Sequence, residues 1–205
     1  MSMLEQRIQQ QFFESADLQY QAAEVLGRPI AEAAQALVGA LTSGARVLVA
    51  GLGPGAALAQ LAAAALTGRF ERDRPGLAAI ALGADGVMLG GLLAAGPQGE
   101  AAADTVLSRQ VDTLGQPGDL LLLVDADGDA PALSAAAQAA QGKDMTVIAL
   151  TGRSGGALRA TLGETDVLIA VPHDRRVRVR EAQLLVLHCL CDAIDLQLLG
   201  EQDSA

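Results

Sequence analysis

Asp119-Leu-Leu-Leu-Leu-Val124 runs straight into Asp125-Ala-Asp127-Gly128-Asp129, and a helical pattern opens near Pro131. An unbroken apolar run, then a polar glycine-bearing turn, then a helix read as a strand buried on both faces of a parallel sheet. In an open α/β sheet, ligands bind outside the carboxyl ends of the strands. Residues 125–129 are therefore the first place to look for function. A phosphate held there wants small residues, hydroxyls and free backbone N–H groups. This turn carries Asp125, Asp127 and Asp129 instead, so the place suits phosphate and the charge does not.

The same unit recurs on both sides of that stretch. Arg46-Val-Leu-Val-Ala50 is a short buried strand that ends in Gly51-Leu-Gly-Pro-Gly55, followed by an alanine-rich helix to about Arg69. Strands are expected at 77–82, 145–150 and 166–171, with helices at 100–114, 131–141, 155–162 and 177–199. Upstream, 4–26 has helical spacing, Gly27-Arg28-Pro29 breaks it, and Pro29 opens a second helix that runs to Ser43-Gly44. Strands alternating with helices imply an α/β fold of three layers. The chain divides into N-terminal helices at 1–45, one compact α/β unit at 46–199, and a tail at 200–205 expected to be disordered.

Composition excludes several functions. The 205 residues suffice for one sizeable core. A net charge of −10 and only four aromatic residues (one Tyr, three Phe) argue against a nucleic-acid surface, which needs clustered Lys and Arg or stacking platforms. The N-terminus has no apolar signal region, and no segment is expected to reach the length of a membrane span. Cys189 and Cys191 are spaced to point to different faces of a helix, so a mutual disulfide is not expected. The chain reads as cytoplasmic and reduced.

Four stretches taken together resemble a known family. They are the first strand–loop–helix, Leu66-Thr-Gly-Arg-Phe-Glu-Arg-Asp-Arg-Pro-Gly76, Ala149-Leu-Thr-Gly-Arg-Ser-Gly-Gly156 and Cys189-Leu-Cys-Asp-Ala-Ile-Asp195. They resemble the sugar isomerase (SIS) family in its phosphoheptose isomerase branch, and within it the subgroup that associates with the replication initiator DnaA. The resemblance implies a five-stranded parallel sheet of flavodoxin-like type, N-terminal helices used in assembly, and a homotetramer. It also implies a site that this chain has lost. Leu52 takes the place of the family's Asn and Gly55 that of its phosphate-binding Ser, with Gly53 between them. Leu61 and Ala65 stand where the isomerases carry a His and a Glu on the next helix, and Gln183 where they carry a second His. Asp125-Ala126-Asp127-Gly128-Asp129-Ala130 replaces the phosphate loop and keeps only its glycine. In the initiator-associating subgroup a Leu-Phe pair belongs to the partner surface; here Leu198 keeps the Leu and Leu199 replaces the Phe, so the resemblance implies a partner contact there, with burial in the tetramer as the alternative.

The chemistry agrees without the family. Aldose–ketose isomerisation moves a proton between adjacent carbons and needs a positioned acid and base. The helix after Gly55 offers no His, Asp or Glu. Three carboxylates facing a phosphate dianion would cost several kcal/mol, at about 4 kcal/mol per close pair near a protein surface.

The remaining motifs admit two readings each. Gly51-Leu-Gly-Pro-Gly55 lacks the rest of a dinucleotide or P-loop fingerprint, so its glycines serve a tight turn, with N–H groups available to a small anion. Asp125, Asp127 and Asp129 match the first, third and fifth positions of a calcium loop, but Ala130 and Ala136 fail the sixth and twelfth. The alternative is a solvated acidic loop with Asp129 capping the helix at Pro131. Arg175, Arg176, Arg178 and Arg180 either pair with acidic neighbours or meet the acidic loop of another subunit. His188, Cys189 and Cys191 lack zinc spacing and read as packing, and His173 closes the last strand. No metal and no cofactor are expected.

The reading is a non-catalytic homotetramer acting as a scaffold toward the initiator. A phosphoheptose isomerase acting on sedoheptulose 7-phosphate, a residual binder of carbohydrate derivatives, and a cation sensor working through the acidic loop are its alternatives.

Overall fold

A computed structural model describes residues 1–95 and 100–201. The chain opens with α1 (Met3–Thr42), then β1 (Val47–Gly51), α2 (Pro54–Thr67), β2 (Ala79–Ala81), α3 (Gly86–Ala95) and α4 (Glu100–Leu114). It continues through β3 (Leu120–Val124), α5 (Pro131–Gln141), β4 (Thr146–Thr151), α6 (Gly156–Thr161), β5 (Val167–Ala170) and α7 (Arg176–Leu199).

The strands form a five-stranded sheet in the order β2-β1-β3-β4-β5, with every neighbouring pair parallel. This is the flavodoxin-like order. Successive strand residues serve opposite faces. Val47, Val49, Leu120, Leu122, Val124, Ile148 and Leu150 pack with α1, α2 and α7. Leu48, Ala50, Leu121, Leu123, Val147 and Ala149 pack against residues of α4, α5 and α6. Two cores on one sheet explain why β1 and β3 are apolar throughout and buried along their whole length.

Three local expectations are corrected. Gly27-Arg28-Pro29 does not break the first helix, because α1 is continuous for 40 residues with Pro29 inside it. Pro29 has no N–H for the Val25 carbonyl, which weakens the helix locally. Burial outweighs that loss: Leu18, Ala22 and Leu26 before it and Ala33, Ala34 and Leu37 after it all reach the core. Second, α3 has no counterpart among the expected helices. Third, α7 is long and apolar enough to cross a membrane by length and composition, against the expectation that no segment is. Its Val179, Ala182, Val186, Leu187, Leu190 and Ile194 lie in the core beneath α1. Of the tail at 200–205, residues 202–205 lie outside the described residues.

Candidate ligand site at the sheet's switch point

β1 and β3 are neighbours whose connections leave in opposite directions along the sheet, so their carboxyl ends flank the topological switch point. Glycine makes the first wall. A Cβ on Gly55 would lie 2.4 Å from the Val124 carbonyl oxygen, and one on Gly51 would lie 2.4 Å from the Gly55 backbone. The first turn of α2 therefore presses on the end of β3, and Gly55 has no room for a side chain. Gly53 turns the chain into α2 with φ of +52°. Leu52 and Leu61 are exposed and Ala65 is half-buried, so none offers a polar group to a ligand. The whole of α2 is free of His, Asp and Glu.

The acidic loop makes the opposite wall, and each carboxylate has a partner. Asp125 Oδ2 accepts the Gly128 N–H at 2.7 Å. Asp127 Oδ2 pairs with Arg176 Nε at 2.7 Å. Asp129 Oδ1 accepts the Ala157 N–H at 3.0 Å. The expectation that Asp129 caps α5 is corrected: the cap position there is Ala130, which has no side-chain bond, and Asp129 reaches across to the start of α6. The loop is locked to that neighbour by backbone. Leu158 N–H donates to the Gly128 carbonyl and Gly152 N–H to that of Ala126, which is itself buried. Gly128 has φ of +81°, and a Cβ there would lie 2.2 Å from the Gly155 oxygen.

Gln183 is fully buried. Its Nε2 donates to the carbonyls of Asp125 at 2.9 Å and Leu150 at 3.0 Å, joining the ends of β3 and β4 to α7. Its Oε1 has no partner among the described residues. A residue expected at a catalytic place thus works as a structural tie.

The basic cluster is used within the chain. Arg175 pairs with Glu14 at 2.6 Å. Buried Arg178 donates to the Gln11 carbonyl at 2.8 Å and pairs with Glu181 at 2.8 Å. The pairing of an arginine with the acidic loop is present, but it is Arg176 to Asp127 of the same chain. Half-buried Arg180 has no ion-pair partner among the described residues. The Gln10 amide, and then Arg175, hold the Glu14 carboxyl below its ordinary range against a counteracting desolvation.

Among the described residues no three His, Cys, Asp or Glu side chains converge to hold a metal ion. His173 Nδ1 accepts the Arg175 N–H at 2.9 Å, and the His188 ring lies 5.4 Å from that of Phe70. Burial raises the thiols of both cysteines, that of Cys191 to about 11. An apolar groove of about 270 Å³ lies elsewhere, between α1 and α7, lined by Ala22, Leu26, Ile30, Leu185 and Val186 among others.

Two features, the Arg74–Asp195 pair and the exposed Leu196, have little signal in the sequence. Arg74 and Asp195 form a buried ion pair at 2.6 Å, with side chains 1% and 2% exposed. The Arg-Asp-Arg-Pro run that holds Arg74 was its only signal. At the end of α7, Leu198 is half-buried against the core, while Leu196 and Leu199 are exposed.

Comparison with known proteins agrees with this architecture. The profile described as the SIS domain matches residues 11–152. A phosphoheptose isomerase of Methylibium petroleiphilum is 55% identical over 203 residues, 99% of each chain. The DnaA initiator-associating protein DiaA of Yersinia pseudotuberculosis is 44% identical over 201 residues, 98% of this chain and 100% of its own. Among solved structures, the phosphoheptose isomerase of Francisella tularensis superposes with a TM-score of 0.87 at 35% identity, covering 95% of this chain and 99% of its own. That of Neisseria gonorrhoeae gives 0.86 at 37%, covering 94% and 99%.

Proposed function

The chain belongs to the SIS-domain family, and from that premise we propose that it is a non-catalytic member: a homotetrameric scaffold that binds the replication initiator DnaA in the cytoplasm. One observation carries the loss of catalysis. An anion at the switch point would draw on a loop N–H, a helix-start N–H and an arginine, and Gly128, Ala157 and Arg176 are already taken by Asp125, Asp129 and Asp127 respectively. The loop supplies its own anions. A phosphate would have to displace them and then face three carboxylates, each close pair costing about 4 kcal/mol at a surface dielectric. With no acid or base on α2 and Gln183 tied to two strands, nothing at these positions moves a proton.

The scaffold role draws support from the DiaA relative's name and from exposed apolar residues. Leu4, Ile8, Phe12, Phe13 and Tyr20 on α1 are exposed, which suits the use of residues 1–45 in assembly. A tetramer repeats one weak partner site and gains avidity. Leu199 stays in the partner surface, and the exposure of Leu196 adds it, with half-buried Leu198 packed behind them against the core. The test is retention of purified DnaA by the immobilised protein. Wild type retains it, and Leu196→Ala with Leu199→Ala loses most of it. No retention by wild type overturns the reading.

The second reading is phosphoheptose isomerase, favoured by the name of the 55% identical relative. It requires an acid, a base and a phosphate seat that the corresponding residues here do not supply.

A further inference from the structure

The last turn of α7 contains no basic residue, while Asp192 and Asp195 approach that end and Glu201 follows it. Negative charge at a helix C-terminus opposes the helix dipole, and the last carbonyls need donors. Both needs are met from outside the helix by the segment 68–76. Arg72 Nη1 donates to the Gly200 carbonyl at 2.7 Å and to the Asp195 carbonyl at 3.4 Å. Arg74 pairs with Asp195 at 2.6 Å and donates to the Ala65 and Leu66 carbonyls at the end of α2. Arg74 thus sets where α7 ends relative to α2. Half-buried Arg72 holds the final turn closed.

That final turn presents Leu196 and Leu199, three residues apart and therefore on one face. Resting on the partner surface proposed above, we infer that Arg72 is a positioning residue for it: its guanidinium keeps the last turn of α7 helical so that Leu196 and Leu199 meet the partner as one apolar ridge. Arg72 does not touch the partner. It acts through the Gly200 and Asp195 carbonyls.

The experiment titrates labelled DnaA with wild type, Arg72→Ala, Arg72→Lys and Leu196→Ala/Leu199→Ala, and follows hydrogen exchange of the amides at 196–200. Arg72→Ala is expected to leave the global melting temperature in place and to speed exchange at 196–200. It should weaken binding about two- to fivefold, the size of one helix-end charge interaction. Arg72→Lys restores part of both, since an ammonium still supplies charge and donors. If the double leucine variant weakens binding and Arg72→Ala does not, the positioning role is overturned and the partner surface stands. If Arg72→Ala weakens binding with unchanged exchange at 196–200, Arg72 contacts the partner directly and the inference is again overturned. If neither variant weakens binding, the partner surface itself fails.

Discussion

Gly55 leaves no room at the switch point for a hydroxyl. Introducing a hydroxyl with Gly55→Ser places a Cβ 2.4 Å from the Val124 oxygen, which belongs to a central strand and cannot yield. Urea unfolding should show a loss of about 3 kcal/mol, and the variant should gain no affinity for phosphate. Cys191 gives a second test at this scale. Its thiol is raised from 9.0 to about 11, chiefly by burial. An acid with a raised folded value leaves the unfolded chain with fewer protons between those limits, so stability is kept below pH 9 and falls as pH rises toward 11. The loss from this group is about 2–3 kcal/mol. The difference in alkaline unfolding between wild type and Cys191→Ala measures it. Single residues were also where reading by sequence went furthest and failed most clearly. The lack of polar groups at Leu52, Leu61 and Ala65 is visible in the residue types themselves. The bonding of Asp129 to Ala157 is not, because it depends on where a loop 28 residues away folds back.

Among the elements, α4 and α5 begin and end where the sequence pattern places them, and the other expected strands and helices from β1 onward differ by a few residues. They were legible because apolar strand runs and helical spacing are local signals. The join at Pro29 was not, since local propensity favours a break and only the core contacts on both sides overrule it. Pro29→Ala should therefore stabilise the monomer fold, by about 1–3 kcal/mol in urea unfolding, as the Val25 carbonyl regains a donor. α3 escaped notice because its residues, Gly-Val-Met-Leu-Gly-Gly-Leu-Leu-Ala-Ala, show no polar face to give it a period. The end of α7 depends on a contact across more than a hundred residues. Arg74→Ala leaves Asp195 buried without a cation and should cost about 3–5 kcal/mol, whereas replacing both partners with apolar residues should recover most of it.

At the scale of the whole molecule, an α/β architecture that places ligands at its switch point carries there a loop that satisfies itself. Glycine packing brings α2 and β3 together, Gln183 ties β3 and β4, Asp125 holds an N–H of its own loop and Asp129 one at the start of α6. Exposed apolar residues lie on α1 and at the end of α7 instead, which suits a surface for assembly and partners. The sharpest test is titration calorimetry of sedoheptulose 7-phosphate into the intact protein, with a divalent cation present. No saturable heat is expected up to about 1 mM, the upper end of ordinary substrate affinities. Saturable binding in the micromolar range would contradict that expectation.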